Sequence, residues 1–219
     1  MNRRDFMLAG GAGLAAFGGF WFTQSGGNDM PVLALNAEEA ADIDTSGIIE
    51  MQLGDENAPI KITEFASFTC PHCATFHQVV FKQLKADYID TGKVHFTYQD
   101  VYFDRPGLWA AMVARCDPDR FFGISAMLYE GQKDWIGSGD GATIGENLRK
   151  LGRIAGLDND QLEACLTDGE KAQQLYTWSQ QKADAADISG TPSMLIDGEL
   201  FSNMSYDELK TILDKKLES

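Results

Sequence analysis

The feature that most restricts this chain is a pair of cysteines three residues apart, Cys70-Pro71-His72-Cys73, placed where a strand pattern gives way to a helix pattern. Upstream, residues 60–68 (IKITEFASF) alternate, are rich in β-branched and aromatic residues and follow Pro59, so they read as a strand. Downstream, Phe76, Val80 and Leu84 keep helical spacing until Thr91-Gly92 ends the run, and 93–98 (KVHFTY) is a second strand. Strand, helix and strand with short connections make a βαβ unit, which requires parallel pairing. At such a junction the first sulfur sits at a helix N-terminus, where free backbone N–H groups and the helix dipole favour thiolate over thiol. Pro71 falls in the first turn, where its missing N–H costs nothing. Cys73 follows one turn later on the same face, within reach of a ring-closing disulfide. Cys70 is therefore expected to be the exposed, low-pKa nucleophile and Cys73 the buried resolving thiol, with His72 adding a cation or a hydrogen-bond donor near the Cys70 sulfur. Stabilising the reduced pair makes its disulfide a stronger oxidant.

Two other uses of a C-x-x-C pair fit the sequence less well. A zinc site needs a second close pair or an H-x-x-x-H spacing; Cys116 and Cys165 are far apart, and His77 and His95 do not form one. A purely structural bridge over so short a loop stabilises little.

The rest of the chain changes character and then changes back. From Pro106 to about Ile188 no strand pattern is present. Leu108, Met112 and Cys116 keep helical spacing, and Asp117-Pro118 restarts the chain into Phe121, Phe122, Ser125 and Leu128. Thr143 with Glu146 and Asp158 with Gln161 read as capping boxes before further helices. A long polar helix covers about 170–186. Strands return at 193–196 and 199–201 around an Asp197-Gly198 turn, and Ser205 with Glu208 caps a last helix. This is one α/β domain interrupted by a helical insertion of about 80 residues. Gly190-Thr191-Pro192 opens the third strand, because a proline cannot sit inside the ladder; its X–Pro bond is either trans or cis on this reading.

The ends and the charge bound the compartment and the partners. Arg3-Arg4 stands before an uncharged stretch from Leu8 to Phe22, whose 15 positions fall short of a spanning helix. A charged segment before a short apolar one reads as an export signal peptide, and the paired arginines resemble a twin-arginine signal. A retained membrane anchor is the alternative, and Leu35-Asn36-Ala37 is the candidate cleavage site. The net charge of −15 lies wholly beyond residue 36, which argues against nucleic acid or anionic lipid as partners. No flavin or nucleotide fingerprint is present, so no cofactor is expected. Four cysteines in an exported chain are available for disulfide chemistry.

Residues 64–73 (EFASFTCPHC), the Gly190-Thr191-Pro192 turn and the intervening helical block resemble the DsbA group of the thioredoxin superfamily from about Ile48 to the C-terminus. The resemblance implies a thioredoxin-like fold with a helical domain inserted between a βαβ half and a C-terminal ββα half. The chain then divides into signal and linker (1–36), first half (37–105), insertion (106–188) and second half (189–219). It implies that Cys70 exchanges with substrate, that Cys73 resolves, that Pro192 is cis and faces the pair, and that Glu64 is a buried acid assisting proton movement at Cys73. Glu64 shares the alternation of Ile60 and Ile62, so it is expected to face inward, unless that end of the strand is wet. Thr191 offers a hydroxyl to the Cys70 sulfur. Some DsbA-like proteins carry a second disulfide in the helical domain, which would join Cys116 to Cys165; two independent buried thiols are the alternative. The implied activity is a periplasmic protein-disulfide oxidoreductase: a dithiol oxidase acting on reduced exported proteins and reoxidised by a membrane partner of DsbB type. A reductase or isomerase with the same dithiol is the alternative, and a metal-binding or chaperone module is a further one.

Overall fold

The computed structural model describes residues 43–218. The segment read as an export signal, with its paired arginines, lies outside the described residues. Five strands form one sheet: β1 (Met51–Leu53), β2 (Ile60–Ala66), β3 (Val94–Asp100), β4 (Ser193–Ile196) and β5 (Glu199–Ser202), side by side in the order β1-β3-β2-β4-β5. β2 and β3 run parallel with Glu64 beside Tyr98, as the βαβ reading requires. β1, β4 and β5 join antiparallel. β2 stops at Ala66, two residues short of the sequence reading, because 67–70 turn sharply: the Cys70 N–H donates to the Ser67 carbonyl. β1 was not foreseen; three residues are too few to show a period.

One face of the sheet is dry. Ile60, Ile62 and Glu64 of β2, Val94, Phe96 and Tyr98 of β3, and Met194 and Ile196 of β4 are all at most 1% exposed. Residues between them in the chain, such as Lys61, Thr63 and His95, are exposed or half-buried. Strand alternation thus sets which side chains meet the core. The crossover helix α1 (71–89) covers this face with Cys73, Phe76, His77, Val80, Leu84 and Tyr88. Its turns are wide over His77–Phe81 and Lys85–Ile89. The C-terminal helix α8 (Tyr206–Leu217) lies beside it, with the Tyr88 hydroxyl donating to Asp214 at 2.5 Å.

Six helices fill the chain between β3 and β4: α2 (Arg105–Ala114), α3 (Phe121–Glu130), α4 (Gln132–Ile136), α5 (Gly141–Ile154), α6 (Asn159–Thr167) and α7 (Gly169–Ala185). α2 runs through the middle of them and is buried from Gly107 to Ala114. Ser205 and Glu208 form the full capping box of α8. Asp158 caps α6 by accepting from the Gln161 N–H, but the Gln161 side chain donates to the Cys116 carbonyl instead of closing a box. Thr143 is not a cap: Asp140 takes that role and accepts from both the Thr143 N–H and its hydroxyl, while Glu146 pairs with Arg153. An aspartate three residues upstream outcompetes the threonine because a charged acceptor binds the orphan N–H groups more strongly.

Two covalent or ionic ties hold the helices to one another and to the sheet. Arg115, at the end of α2, binds Asp100 of β3 through Nε at 2.7 Å and donates to the Ile49 carbonyl at 2.8 Å. Its guanidinium lies over the Phe121 and Trp178 rings. Next to it, Cys116 is joined by a disulfide to Cys165 of α6, with Cα atoms 5.7 Å apart. The bridge closes 49 residues of chain. Replacing both cysteines with alanine is expected to lower unfolding stability by about 4 kcal/mol on the loop-entropy scale, read as a reduced urea midpoint with an m-value no smaller than the parent's, since the released unfolded chain exposes more surface.

Candidate active site

Cys70 is the N-cap of α1, in extended backbone conformation, with Pro71 as the first helical residue. Its side chain is partly exposed, whereas Cys73, one turn on, has no exposure at all; both are free thiols in this structure. The helix end and the difference in burial set the chemistry. The Cys70 thiol is lowered to about 5, chiefly by the hydrogen bond that the Cys73 thiol donates to it. The Thr191 hydroxyl and the backbone N–H groups of Cys73 and His72 lower it further, against a desolvation that raises it. Burial pushes the Cys73 thiol far above its ordinary range, and its bond to Cys70 and the nearby Glu64 charge push the same way. At neutral pH the pair therefore holds one thiolate, on Cys70, and one thiol, on Cys73.

Opposite the sulfurs lies the turn before β4. Its Thr191–Pro192 bond is cis, and Ser193 Oγ fixes the turn by donating to the Gly190 carbonyl at 2.8 Å. In the thiol form Cys70 Sγ donates to the Thr191 carbonyl at 3.4 Å. The expected bond between the Thr191 hydroxyl and the Cys70 sulfur is not made: that oxygen is buried without a hydrogen-bond partner. It lies close enough to both sulfurs to favour thiolate at each by hydrogen bonding to the charged form. His72 also differs from expectation. Its side chain is exposed, and its contribution to Cys70 is the backbone N–H.

Beneath the dithiol, Glu64 is fully buried, so that end of the strand is not wet. Its carboxylate oxygens lie 3.1 and 2.9 Å from His77 Nε2. The His77 ring stacks on Tyr129 at 4.1 Å between centroids, and Tyr129 shares a 2.6 Å hydroxyl contact with Tyr98. Sequence reasoning met His77 only as a zinc ligand without a partner. Its position four residues after Cys73 is the signal that was available, since that spacing puts both on one helix face.

Gln132 was also missed, and nothing local announces it. From the start of α4 its Nε2 donates to the Phe68 carbonyl at 2.8 Å and to the Cys70 carbonyl at 2.9 Å. The N-terminus of α2 presses on the same loop, where a side chain at Gly107 would meet the Thr69 and Ser67 hydroxyls at 3.3 and 3.4 Å. The loop that presents Cys70 is thus fixed from the helical block. Among the described residues, no three His, Cys, Asp or Glu side chains are grouped to hold a metal ion, and no helix is long and apolar enough to cross a membrane.

A thioredoxin-like sheet with a dithiol at the N-terminus of the crossover helix, facing a cis-proline and carrying inserted helices, defines the DsbA class of fold. The chain belongs to the thioredoxin family, whose sequence profile matches residues 47–215. It is 32% identical over 171 residues to a putative protein-disulfide oxidoreductase of Rickettsia felis, covering 77% of this chain and 60% of that protein. It is 28% identical to disulfide bond formation protein D of Bacillus subtilis, covering 76% of each. The fold matches the crystal structure of Wolbachia pipientis alpha-DsbA1 with a TM-score of 0.69 at 24% identity, covering 76% of this chain and 89% of that one. The chain spans about three-fifths of the Rickettsia felis relative's length.

Two outcomes are expected. Alkylation of Cys70 in the reduced protein should follow a titration near pH 5, with rates flat above it and falling as the thiolate is protonated below it; a midpoint in the ordinary thiol range of about 8.5 would contradict the site electrostatics. Replacing Gln132 with leucine should cost about 1–3 kcal/mol in a urea titration, because it removes the donor to two carbonyls of the active-site loop.

Proposed function

We propose that this protein is an exported thiol–disulfide oxidoreductase that works as a dithiol oxidase, introducing disulfides into other exported proteins. The observation that carries this reading is the unequal pair: a Cys70 thiolate at a helix end, open toward the cis Thr191–Pro192 turn, over a Cys73 thiol sealed in the core. In the oxidised form, a client thiolate attacks Cys70 Sγ. The Cys70–Cys73 bond breaks, Cys73 leaves with the electron pair and takes up a proton, and a mixed disulfide forms through Cys70. A second client thiolate then attacks the client sulfur of that bond, and Cys70 departs as a thiolate. The client is oxidised by two electrons and the dithiol is reduced by two. A low-pKa leaving sulfur favours this direction, since it stabilises the reduced form. Among the described residues the Thr191 carbonyl accepts from the Cys70 thiol alone, so in the disulfide it is free to take an N–H from an extended client chain laid along the turn.

The Arg3-Arg4 leader and the bridged Cys116–Cys165 pair support an oxidising destination, the periplasm, with twin-arginine export as the route. The names of the relatives, oxidoreductase and disulfide bond formation protein, point the same way. Sustained turnover needs a reoxidant, for which a quinone-linked membrane protein of DsbB type is the natural partner. The net charge of −15 disfavours nucleic acid.

The equilibrium potential of the Cys70–Cys73 pair in glutathione buffers tests the direction. A value near ~−120 mV is expected of a dithiol oxidase. A value near ~−270 mV would make the protein a reductase on the same fold.

A further inference from the structure

The exchange chemistry requires the proton of Cys73 to come and go, yet Cys73 is sealed from solvent and a client would cover the face where Cys70 opens. Further along α1 the structure contains a second opening. A cavity of about 300 Å³ is walled by Leu53, Phe81, Phe122, Tyr129 and His77, with the exposed ends of Lys82 and Glu130 at its mouth. None of residues 67–76 or 190–192 lines it, so it is separate from the client face, and its size admits several waters. His77 spans the interval between this cavity and the dithiol. Its Nε2 touches both oxygens of Glu64, and the Glu64 charge acts directly on the Cys73 thiol. Nδ1 of His77 has no hydrogen-bond partner among the described residues, and the ring is held in place between Tyr129 and Phe81, at 4.1 and 4.7 Å between centroids.

We propose that His77 is a positioning and relay residue for the exchange reaction, carrying protons between Glu64 and the cavity so that Cys73 gains and loses its proton from behind the dithiol. This rests on Cys70 and Cys73 being the working pair. When Cys73 closes the disulfide, its thiol proton passes to a Glu64 oxygen and its sulfur bonds to Cys70 Sγ. The partner sulfur of the mixed disulfide leaves with the electron pair. The reduced form holds the Nδ1–H tautomer, so the Glu64 proton moves to the bare His77 Nε2 and the Nδ1 proton leaves into cavity water, leaving the Nε2–H tautomer from which the inward path starts. When a client opens the disulfide, the same path runs inward: Nδ1 takes a proton, Nε2 gives one to Glu64, and Glu64 gives one to the departing Cys73 thiolate.

The other titratable groups facing the pair are accounted for. Tyr98 from β3 and Tyr129 from α3 are kept protonated by burial. At the mouth Lys82 pairs with Glu130 at 2.8 Å, and Lys85, which also lines the cavity, pairs with Asp90. That leaves Glu64 and His77 as the stations between Cys73 and water.

The test mixes reduced full-length protein with oxidised glutathione in a stopped-flow instrument and follows closure of the Cys70–Cys73 disulfide by tryptophan fluorescence between about pH 5 and 8, the range in which histidine chemistry responds. A Cys73→Ser control, which halts at the glutathione mixed disulfide, gives the first step separately. His77→Gln keeps a donor to Glu64 but cannot relay a proton. Closure in it is expected to slow by about a hundredfold or more, with the formation of the mixed disulfide unchanged. In His77→Ala, which opens the Glu64 carboxylate toward the cavity, added imidazole is expected to restore the rate in proportion to its concentration. A His77→Gln protein that closes as fast as its parent at every pH would show that the histidine serves only as a hydrogen-bond donor, and would overturn the relay. If the variants do not fold, the parent decides: closure no slower in deuterium oxide than in water overturns it as well. Failure of the parent to close a disulfide at all would be a different result, removing the dithiol function itself.

Discussion

Two sulfurs one helical turn apart share a proton, and much of the surrounding structure keeps that sharing unequal. Cys73 is closed off by the sheet, so no water is available to solvate a second thiolate there. Cys70 meets the free N–H groups of the helix end, and the proton retained on Cys73 points at it. The buried Glu64 charge strengthens the same bias, since a carboxylate nearby makes ionisation of Cys73 harder still. The last of these effects traces to strand register: the alternation of β2 that buries Ile60 and Ile62 also buries Glu64, beside Tyr98 of β3. A slip of one residue in β2 would turn the acid to the opposite face of the sheet and take its charge away from Cys73.

The inserted helices are bound to the sheet by a buried ion pair. Burial raises the Asp100 carboxyl, and Arg115 opposes that rise by ion pairing. The same arginine reaches the Ile49 carbonyl and lies against Trp178 of α7. Lys182 of α7 then pairs with Glu50 at 3.0 Å. The short edge strand β1, whose three residues could not hold a position alone, is thereby trapped between the sheet and α7. Such a buried pair adds little net stability, but removing one partner leaves a charge stranded, so the cost of loss is what ties the layers together.

The parts of this architecture legible in the sequence are those with a local period or a fixed spacing. The βαβ unit, the C-x-x-C at the helix end, the Ser205–Glu208 box and the inward alternation of Glu64 all show in short windows. The thioredoxin-like class and the inserted helices followed from the order of those windows and from a family likeness. What was not legible depended on distant neighbours. Thr143 gave the right motif in the wrong place because Asp140 upstream was the stronger acceptor. β1 was too short to have a pattern, and its position comes from Arg115, far along the chain. The Thr191 hydroxyl was placed near the right sulfur, but in the thiol form that sulfur donates to the Thr191 carbonyl instead. His77 had a readable spacing and was passed over; Gln132 had none, because its partners lie more than sixty residues earlier.

That amide has a consequence for how separable this molecule is. In a plain thioredoxin scaffold a C-P-H-C sequence could be grafted on, reproducing the sulfur spacing and the helix end. The carbonyls of the loop before it would then face a different environment, because here they are satisfied by a side chain from the inserted block. The redox centre and the helical domain are therefore a single unit of heritable change. A change at Gln132 of α4, far from either cysteine in sequence, reaches the dithiol through the backbone of Phe68 and Cys70 while leaving the motif itself untouched.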